Sequence, residues 1–418
     1  MKLVHAADLH LDSPLRGLER YEGAPVEALR SATRRALANL VELCLAERAD
    51  VLVVAGDLYD GDWRDYHTGL HFAAQLGRLR EAGVRVFLAR GNHDAASQLT
   101  RALRLPEGVV DFSTERPETH VLEPLGLAVH GQGFAARAVS ADLGAAYPPP
   151  LPGLFNVGVL HTSVDGREGH EPYAPCRLEA LVNKGYDYWA LGHVHRREVL
   201  HVHPWVVFSG NLQGRHARET GPKGATLVTV EGGKATSVEH RPLDVVRWAQ
   251  CVVDASACRS GDDVVDRVRE AVGHYQREAE GRTLALRVVL QGRSDAHGPL
   301  GAEPERWRSE VRAAAADASG GEAWVEKVLV RTQPRLDLEA LRRRDDPLGS
   351  LVRGLGGLRE DPQALAWAWG ELASLRRKLP AEYHQLEGAL RLDHPSGLAP
   401  ALDEVERLLL ALLPGSEG

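Results

Sequence analysis

At 418 residues, with 44% hydrophobic and 26% charged side chains, the chain is long enough for two or three domains and has the composition of an ordinary soluble globular protein. Its net charge of -8 argues against general avidity for nucleic acid while leaving room for a local basic groove. The four cysteines, Cys44, Cys176, Cys251 and Cys258, form no CxxC pair and suggest no disulfide framework, which fits a reducing cytoplasm. No signal peptide precedes the first apolar run, and no run is long enough to span a bilayer, so a cytoplasmic protein without a membrane anchor is expected.

Residues 1–243 alternate strand and helix patterns. Lys2 to Ala7 is an apolar run typical of a buried strand, and Asp8-Leu9-His10 follows it. Val26 to Arg48 carries Leu29, Leu37, Leu40, Val41 and Leu45 at helical spacing, with Cys44 on the same stripe. A strand over Val51 to Ala55 leads into Gly56-Asp57-Leu58-Tyr59-Asp60. Tyr66 to Ala82 reads as a helix closed by Gly83, and Val84 to Ala89 as a strand leading into Gly91-Asn92-His93-Asp94. Pro148 to Gly153 is a rigid loop within the domain, because motif residues continue beyond it. Val157 to Leu160 leads into His161-Thr162, and Tyr188 to Leu191 into Gly192-His193-Val194-His195. Strands over Val199 to Val202 and Val206 to Phe208 precede a hairpin of Ala225 to Glu231 and Ala235 to His240 across Gly232-Gly233.

Near Pro242 the pattern changes. A strand over Arg247 to Asp254, a helix over Asp262 to Glu280, a strand over Leu284 to Gln291, a helix over Pro304 to Ala318 and a strand over Ala323 to Thr332 make a small α/β unit that Pro334 ends. The remainder is rich in Leu, Ala and Arg, with helical patterns around Asp337–Arg344, Pro362–Arg377 and Leu398–Leu413. The expected divisions are therefore 1–243, 244–334 and 335–418.

Five strands thus end in Asp, His or Asn, and strand ends are where α/β folds place their ligands. Asp8 and His10 are two apart, so on an extended strand end they point the same way, and His193 and His195 repeat the device. Carboxylate oxygen with imidazole nitrogen suits Mn²⁺, Fe²⁺ or Zn²⁺ better than Mg²⁺ or Ca²⁺. Asp57 has two oxygens with which to bridge, and Asn92 adds a neutral carbonyl. Two metals about 3.5–4 Å apart would clamp a phosphate and activate a water for in-line attack.

The order DxH, GDxxD, GNHD, H, GHxH over residues 1 to about 215 resembles the calcineurin-like metallophosphoesterase superfamily. The resemblance implies a four-layer α/β-β/α sandwich and two divalent metal ions, most simply Mn²⁺. It implies that Asp8, His10, Asp57 and His195 hold one metal, and that Asp57, Asn92, His161 and His193 hold the other. His93 would stay off the metals and protonate the leaving oxygen or steady the transition state, and Asp60 would orient and polarise it. Within the superfamily the chain is most similar to the SbcD-type DNA repair exonuclease subunits, in their YhaO-like branch. The resembling stretches are Asp8 to Pro14, Val129 to Phe134, Tyr173 to Pro175 and Ser209 to His216. That family joins its phosphoesterase domain to a small α/β capping domain that helps position DNA and to C-terminal helices that dock on an SMC-like ABC ATPase. Two departures are visible. Asp60 stands where some nuclease relatives carry a His, and the cap is charge-balanced without a basic stripe.

Other polar residues have two readings each. Arg215, His216 and Arg218 follow the last motif and are candidates for a substrate phosphate, with a solvated loop as the alternative. His201 and His203 read as surface or packing residues, and His67 and His71, at i,i+4, as a helix face toward the core or rim. Arg342-Arg343-Arg344 reads as a solvated run, and Leu408 to Leu413 as a helix packed on its own domain or a face for a partner, with homodimer contacts open as well. The expected activity is metal-dependent phosphodiester hydrolysis of DNA by an exonuclease or structure-dependent endonuclease. A phosphatase or cyclic-nucleotide phosphodiesterase on a small substrate is the alternative within enzymes, and a DNA-tethering subunit of an SMC-like ATPase complex is the alternative of another class.

Overall fold

The computed structural model describes residues 1–13, 23–60, 66–96, 105–165, 173–335, 338–379, 383, 392, 394–398, 401–402 and 405. Pro14, Asp337 and most of the helix expected over Leu398 to Leu413 lie outside the described residues. Two compact units emerge, one of Met1–Gln250, Tyr275–Leu286 and Glu322–Glu326, the other of Cys251–His274, Arg287–Gly321 and Lys327–Gly418.

Two six-stranded sheets organise the first unit. In chain order its strands are β1 (Lys2–Ala6), β2 (Val51–Ala55), β3 (Arg85–Ala89), β4 (Val109–Asp111), β5 (Glu118–Leu122), β6 (Leu127–Gly131), β7 (Phe155–His161), β8 (Tyr188–Gly192), β9 (Glu198–His201), β10 (Trp205–Phe208), β11 (Gly224–Glu231) and β12 (Lys234–Pro242). One sheet runs β12-β11-β1-β2-β3-β4 and the other β5-β6-β7-β8-β10-β9. The inner strands β1 to β4 pair in parallel, as do β6, β7, β8 and β10, while the outer pairs are antiparallel. Central strands buried on both faces read as continuous apolar runs, which is why Val51 to Ala55 shows no alternation.

Leu3, Val51, Val53 and Phe87 of the first sheet meet Val129, Val157, Val159 and Tyr188 of the second in one core between the sheets. Helices α1 (Val26–Ala46) and α2 (Tyr66–Glu81) cover the outer face of the first sheet, burying Leu37, Leu40, Val41, Phe72 and Leu76. The outer face of the second sheet is covered by Tyr147 and by Leu181 of α4 (Leu178–Asn183), packed on Leu160, Trp189 and Leu191. The result is a four-layer α/β-β/α sandwich. It also places the C-terminal ends of β1, β2, β3, β7 and β8 where their following loops converge, since α3 (Asn92–Ala96) begins just after β3.

Strands β13 (Val246–Asp254), β14 (Thr283–Arg293) and β15 (Ala323–Gln333) form a third sheet with β14 central. Helices α5 (Gly261–Glu278), α6 (His297–Ala302) and α7 (Pro304–Ala318) connect them. Further along lie α8 (Leu338–Arg342), α9 (Pro347–Glu360), α10 (Pro362–Glu371) and α11 (Ala373–Arg376). The helical pattern around Pro362 to Arg377 is formed by two helices, α10 and α11, that meet at Leu372. The apolar spacing of Leu351, Leu355 and Leu358 is that of α9, whose N-cap Asp346 accepts from Gly349 N, whereas the strands β4 to β6 were not expected from the sequence. Buried clusters here are small, with Leu341 and Val352 in one and Leu365, Leu392 and Leu398 in another. All four cysteines are buried and free. Among the described residues no helix is long and apolar enough to cross a membrane.

Candidate metal centre

The loops after β1 and β2 stay paired beyond the ends of the strands. Asp8 N donates to Gly56 O at 3.0 Å, His10 N to Asp57 O at 3.0 Å and Leu11 N to Leu58 O at 2.9 Å. Asp8, His10 and Asp57 take positive φ of 52°, 42° and 54°, and His193 takes 105°. Left-handed backbone at non-glycine residues costs of order 1–3 kcal/mol each and persists only where surrounding structure fixes it. The extended strand end expected for Asp8 and His10 is therefore corrected: β1 ends at Ala6, and left-handed turns at Asp8, His10 and Asp57 bring these side chains into one space.

Glycines set how closely these loops approach. A Cβ on Gly91 would strike the Asp57 carboxylate, and a Cβ on Gly192 would strike the Ala55 carbonyl. That requirement explains the glycine at the head of GNHD and GHxH. The fourth residue of GNHD, Asp94, is buried and ties two loops together, accepting from Leu58 N (2.9 Å), Tyr59 N (3.1 Å) and Gly91 N (2.9 Å).

The sequence-derived residues lie together. Ligand-type atoms of Asp8, His10 and His195, of His10, Asp60 and His93, and of Asp8, Asp57 and His161 each fall within 4.8 Å of one another. Asp8, His10, Asp57, Asn92, His161 and His193 are all buried. His10 Nε2 lies 3.1 Å from His195 Nε2 and 3.8 Å from Asp57 Oδ2. His161 Nε2 lies 2.9 Å from Asn92 Oδ1 and 3.6 Å from Asp57 Oδ2. Asp57 thus faces both imidazoles, while its Oδ1 accepts from His93 N at 3.0 Å. His193 donates its backbone N–H to both Asp8 oxygens at 3.1 Å, and its ring stands 5.3 Å from that of His161.

Two orienting contacts fix the tautomers. His161 Nδ1 donates to Ala55 O at 2.9 Å, which leaves a lone pair at Nε2 facing the Asn92 oxygen. His195 Nδ1 donates to Glu219 Oε1 at 2.6 Å, which leaves a lone pair at its Nε2. Glu219 is the residue that motif reading missed. It is buried and also accepts from Asn211 Nδ2 (3.0 Å) and Arg215 N (2.7 Å). Burial opposes its ionisation, but the His195 hydrogen bond and the Arg215 guanidinium outweigh burial and hold the carboxyl well below the usual carboxylate range.

The arrangement fits a cation. Asp8 and Asp57 are buried carboxylates, and among the described residues no Lys or Arg forms an ion pair with either. Leaving a buried carboxylate uncompensated costs several kcal/mol. Burial raises the Asp8 carboxyl, and burial together with the Arg215 charge lowers His10 well below the usual imidazole range. His10 Nδ1 is buried without a hydrogen-bond partner. Carboxylate oxygens, lone-pair imidazole nitrogens and one amide oxygen are the donor set of Mn²⁺, Fe²⁺ or Zn²⁺.

At the rim, His93 Nδ1 meets Asp60 Oδ1 at 2.9 Å, with side-chain exposures of 32% and 23%. Ser13 Oγ donates to Asp60 Oδ2 at 2.5 Å. Burial pushes against ionisation of Asp60, yet the His93 and Ser13 hydrogen bonds bring its carboxyl down to about 2. The Asp60 hydrogen bond in turn raises the His93 imidazole. Arg215 sits between two carboxylates, Nη1 at 3.4 Å from Asp60 Oδ2 and Nη2 at 3.3 Å from Glu219 Oε1, so the structure engages it as a link across the site. His216 is 56% exposed, 3.7 Å from Glu219. His67 is exposed and His71 half-buried, and neither belongs to a metal-type group among the described residues.

The other resembling stretches support these side chains. Phe134 stands edge-on to His161 at 5.4 Å and Tyr173 to His193 at 5.6 Å between ring centroids. Gln213 Oε1 accepts from Val245 N at 2.8 Å, and its Nε2 donates to Val246 O at 2.7 Å, securing the loop that delivers Glu219.

Residues 1–197 match the calcineurin-like phosphoesterase family, and residues 248–333 match the middle domain of the metallophosphoesterase YhaO. The chain is 34% identical over 296 residues to the uncharacterized metallophosphoesterase YhaO of Bacillus subtilis, covering 70% of this chain and 72% of that protein. It is 31% identical over 303 residues to the DNA double-strand break repair protein Mre11 of Methanopyrus kandleri, covering 64% of this chain and 62% of that one. Among solved structures, a dimetal phosphatase from Danio rerio is similar at 12% identity and a TM-score of 0.33, over 56% of this chain and 93% of that one.

Proposed function

The chain belongs to the calcineurin-like metallophosphoesterases and to their YhaO-like members, and from that premise we propose that it is a two-metal phosphodiesterase acting on DNA. One observation carries the metal part of the reading. Two buried carboxylates, Asp8 and Asp57, have imidazoles around them and no Lys or Arg ion pair among the described residues. The DNA part is supported by similarity to an Mre11 repair protein along 64% of this chain, a stretch longer than the phosphoesterase match at 1–197.

In this reading Asp8, His10, Asp57 and His195 hold one divalent ion, and Asp57, Asn92, His161 and His193 the other, with Mn²⁺ the preferred metal. When bound, such ions supply Lewis acidity to a phosphoryl group and lower the pKa of water. The protein's own groups do the rest. Ala55 O and the Glu219 carboxylate keep His161 and His195 in the tautomer whose Nε2 is a lone pair. Asp60 holds a proton on His93 Nδ1, so Nε2 is the nitrogen that presents a proton to the leaving oxygen. Arg215 lies between Asp60 and Glu219, and its charge adds to the hydrogen bonds from His93, Ser13 and His195 that keep both carboxyls ionised.

We place partner binding in the region after Pro334. There the described helices bury small clusters while Trp367 is 65% exposed, as a docking segment for an SMC-like ABC ATPase would be, with contacts between two copies of the chain as a companion role. The test of the activity is hydrolysis of labelled linear DNA beside bis-p-nitrophenyl phosphate, with Mn²⁺, with Mg²⁺ and in excess EDTA. Cleavage of both substrates is expected with Mn²⁺, less with Mg²⁺ and none in EDTA. Full activity in EDTA would exclude the metal reading, and cleavage of the chromogenic diester alone would exclude DNA as the substrate.

A further inference from the structure

Behind the main chain of His195 lies a second chemically distinct space. A cavity of about 510 Å³ is lined by Arg196, Arg197, Arg218, Lys223 and His240 with the turn Thr220 to Pro222, and no Asp or Glu lines it. The concentration of positive charge stands against a chain whose net charge is -8. Its members come from three places that the fold brings together: the two residues after His195, the segment beside Glu219, and β12. Lys223 is 5% exposed and gives one hydrogen bond, from Nζ to His195 O at 2.6 Å. Arg197 Nε is buried with no hydrogen-bond partner. Among the described residues neither Arg196 nor Arg197 has an ion pair. Like charges gathered around a cavity repel, and a bound anion relieves that repulsion while satisfying the orphaned donor.

From this arrangement we propose that the cavity is an anion site for a phosphate of the substrate strand, held by Arg196, Arg197, Arg218 and Lys223 and separate from the phosphodiester under attack. The assignment of a strand phosphate rests on the reading of the substrate as DNA. Two features favour a strand over a free ion. The cavity shares Lys223 with the His195 main chain, so an occupant sits next to the metal centre. The turn Thr220 to Pro222 also walls a neighbouring cavity of about 580 Å³, lined by Arg247, the buried Trp248, Tyr275, Glu278 and Glu280, which leaves a strand room to continue beyond the basic cavity. A positively charged groove that follows the backbone is the electrostatic part of how single strands are held.

The experiment uses the full chain and the double variants Arg196→Gln with Arg197→Gln, and Arg196→Lys with Arg197→Lys. Inorganic phosphate is titrated calorimetrically into each metal-free protein in EDTA, and oligothymidylate hydrolysis is measured with Mn²⁺. The glutamine variant should bind phosphate at least tenfold more weakly and show a KM for oligothymidylate raised about tenfold, with kcat within about twofold. Its dependence of log KM on log salt should flatten by about 0.7 for each strand phosphate that the variant no longer neutralises. The lysine variant, melting with the wild type, should recover most of both. Unchanged phosphate binding in the glutamine variant overturns the site. Weakened phosphate binding with an unchanged oligothymidylate KM overturns the strand assignment and makes the ligand free phosphate. If the wild type cleaves no oligothymidylate at all, the DNA reading has failed, and the phosphate titration still judges the cavity by itself.

Discussion

The Glu219 carboxylate accepts a 2.6 Å hydrogen bond from His195 Nδ1, 24 residues away in sequence. An imidazole that binds a metal through one nitrogen is commonly steered through the other, and loss of that partner costs 10–100-fold in metal affinity. Glu219→Gln keeps the shape and removes the charge. It should weaken metal binding by about tenfold, and Glu219→Ala by up to about a hundredfold, in competition with a chelator followed by metal analysis. Unchanged affinity in both variants would remove His195 from the ligand set.

His93 and Asp60 separate chemistry from metal binding. His93→Ala should leave about two metals per chain and lower kcat by about 10²–10⁴-fold. Because the Asp60 hydrogen bond raises the His93 pKa, a proton-donating His93 loses activity as pH rises through that raised value. Asp60→Asn should therefore shift the basic limb of the pH–rate profile to lower pH. A metal-free His93→Ala protein, or a limb that does not move, would reassign the pair.

Gly192 meets the Ala55 carbonyl so closely that no Cβ fits between them. Gly192→Ala should force the ends of β8 and β2 apart, destabilising the protein by about 1–3 kcal/mol and lowering Tm by several degrees, with loss of metal as a second effect. Gly77, on α2 with open space around it, is the control. Gly77→Ala should hold or raise Tm, since Ala favours a helix interior.

Buried His5 accepts from the Tyr188 hydroxyl at 2.9 Å and donates to Leu191 O at 3.1 Å. Burial lowers its pKa from 6.5 to about 3. Between those values the unfolded chain takes up the proton and the folded chain does not, so this group's contribution is intact above pH 6.5 and is lost as pH falls toward 3. From pH 7 to pH 5 the wild type should lose about 2 kcal/mol of unfolding free energy that His5→Asn does not lose, measured by denaturant titration at each pH.

Much of the site was legible because its chemistry sits at strand ends. An apolar run announces the strand, and the polar residues that interrupt it announce the ligands, as at Val51 to Asp57. Glu219 carried no such signal. It follows no strand, and only the fold brings its loop under His195. Strand β5, Glu118–Leu122, was missed because an edge strand with alternating half-exposed residues carries little apolar density. From position alone Arg215 read either as a contact for substrate phosphate or as part of a solvated loop, and only its distances to Asp60 and Glu219 show which charges it meets. Helix α9 has glycines at Gly349, Gly354, Gly356 and Gly357, which blur its ends while Leu351, Leu355 and Leu358 keep the helical spacing.

The left-handed backbone at Asp8, His10 and Asp57 has an evolutionary consequence. Glycine would relax each of these positions, so selection for thermal robustness alone would drift toward glycine at the places where the metal donors stand. A chain hardened in that way would keep its sandwich and lose its reactivity. Stability and catalysis are therefore opposed here at single residues, and robustness has to be sought elsewhere in the molecule.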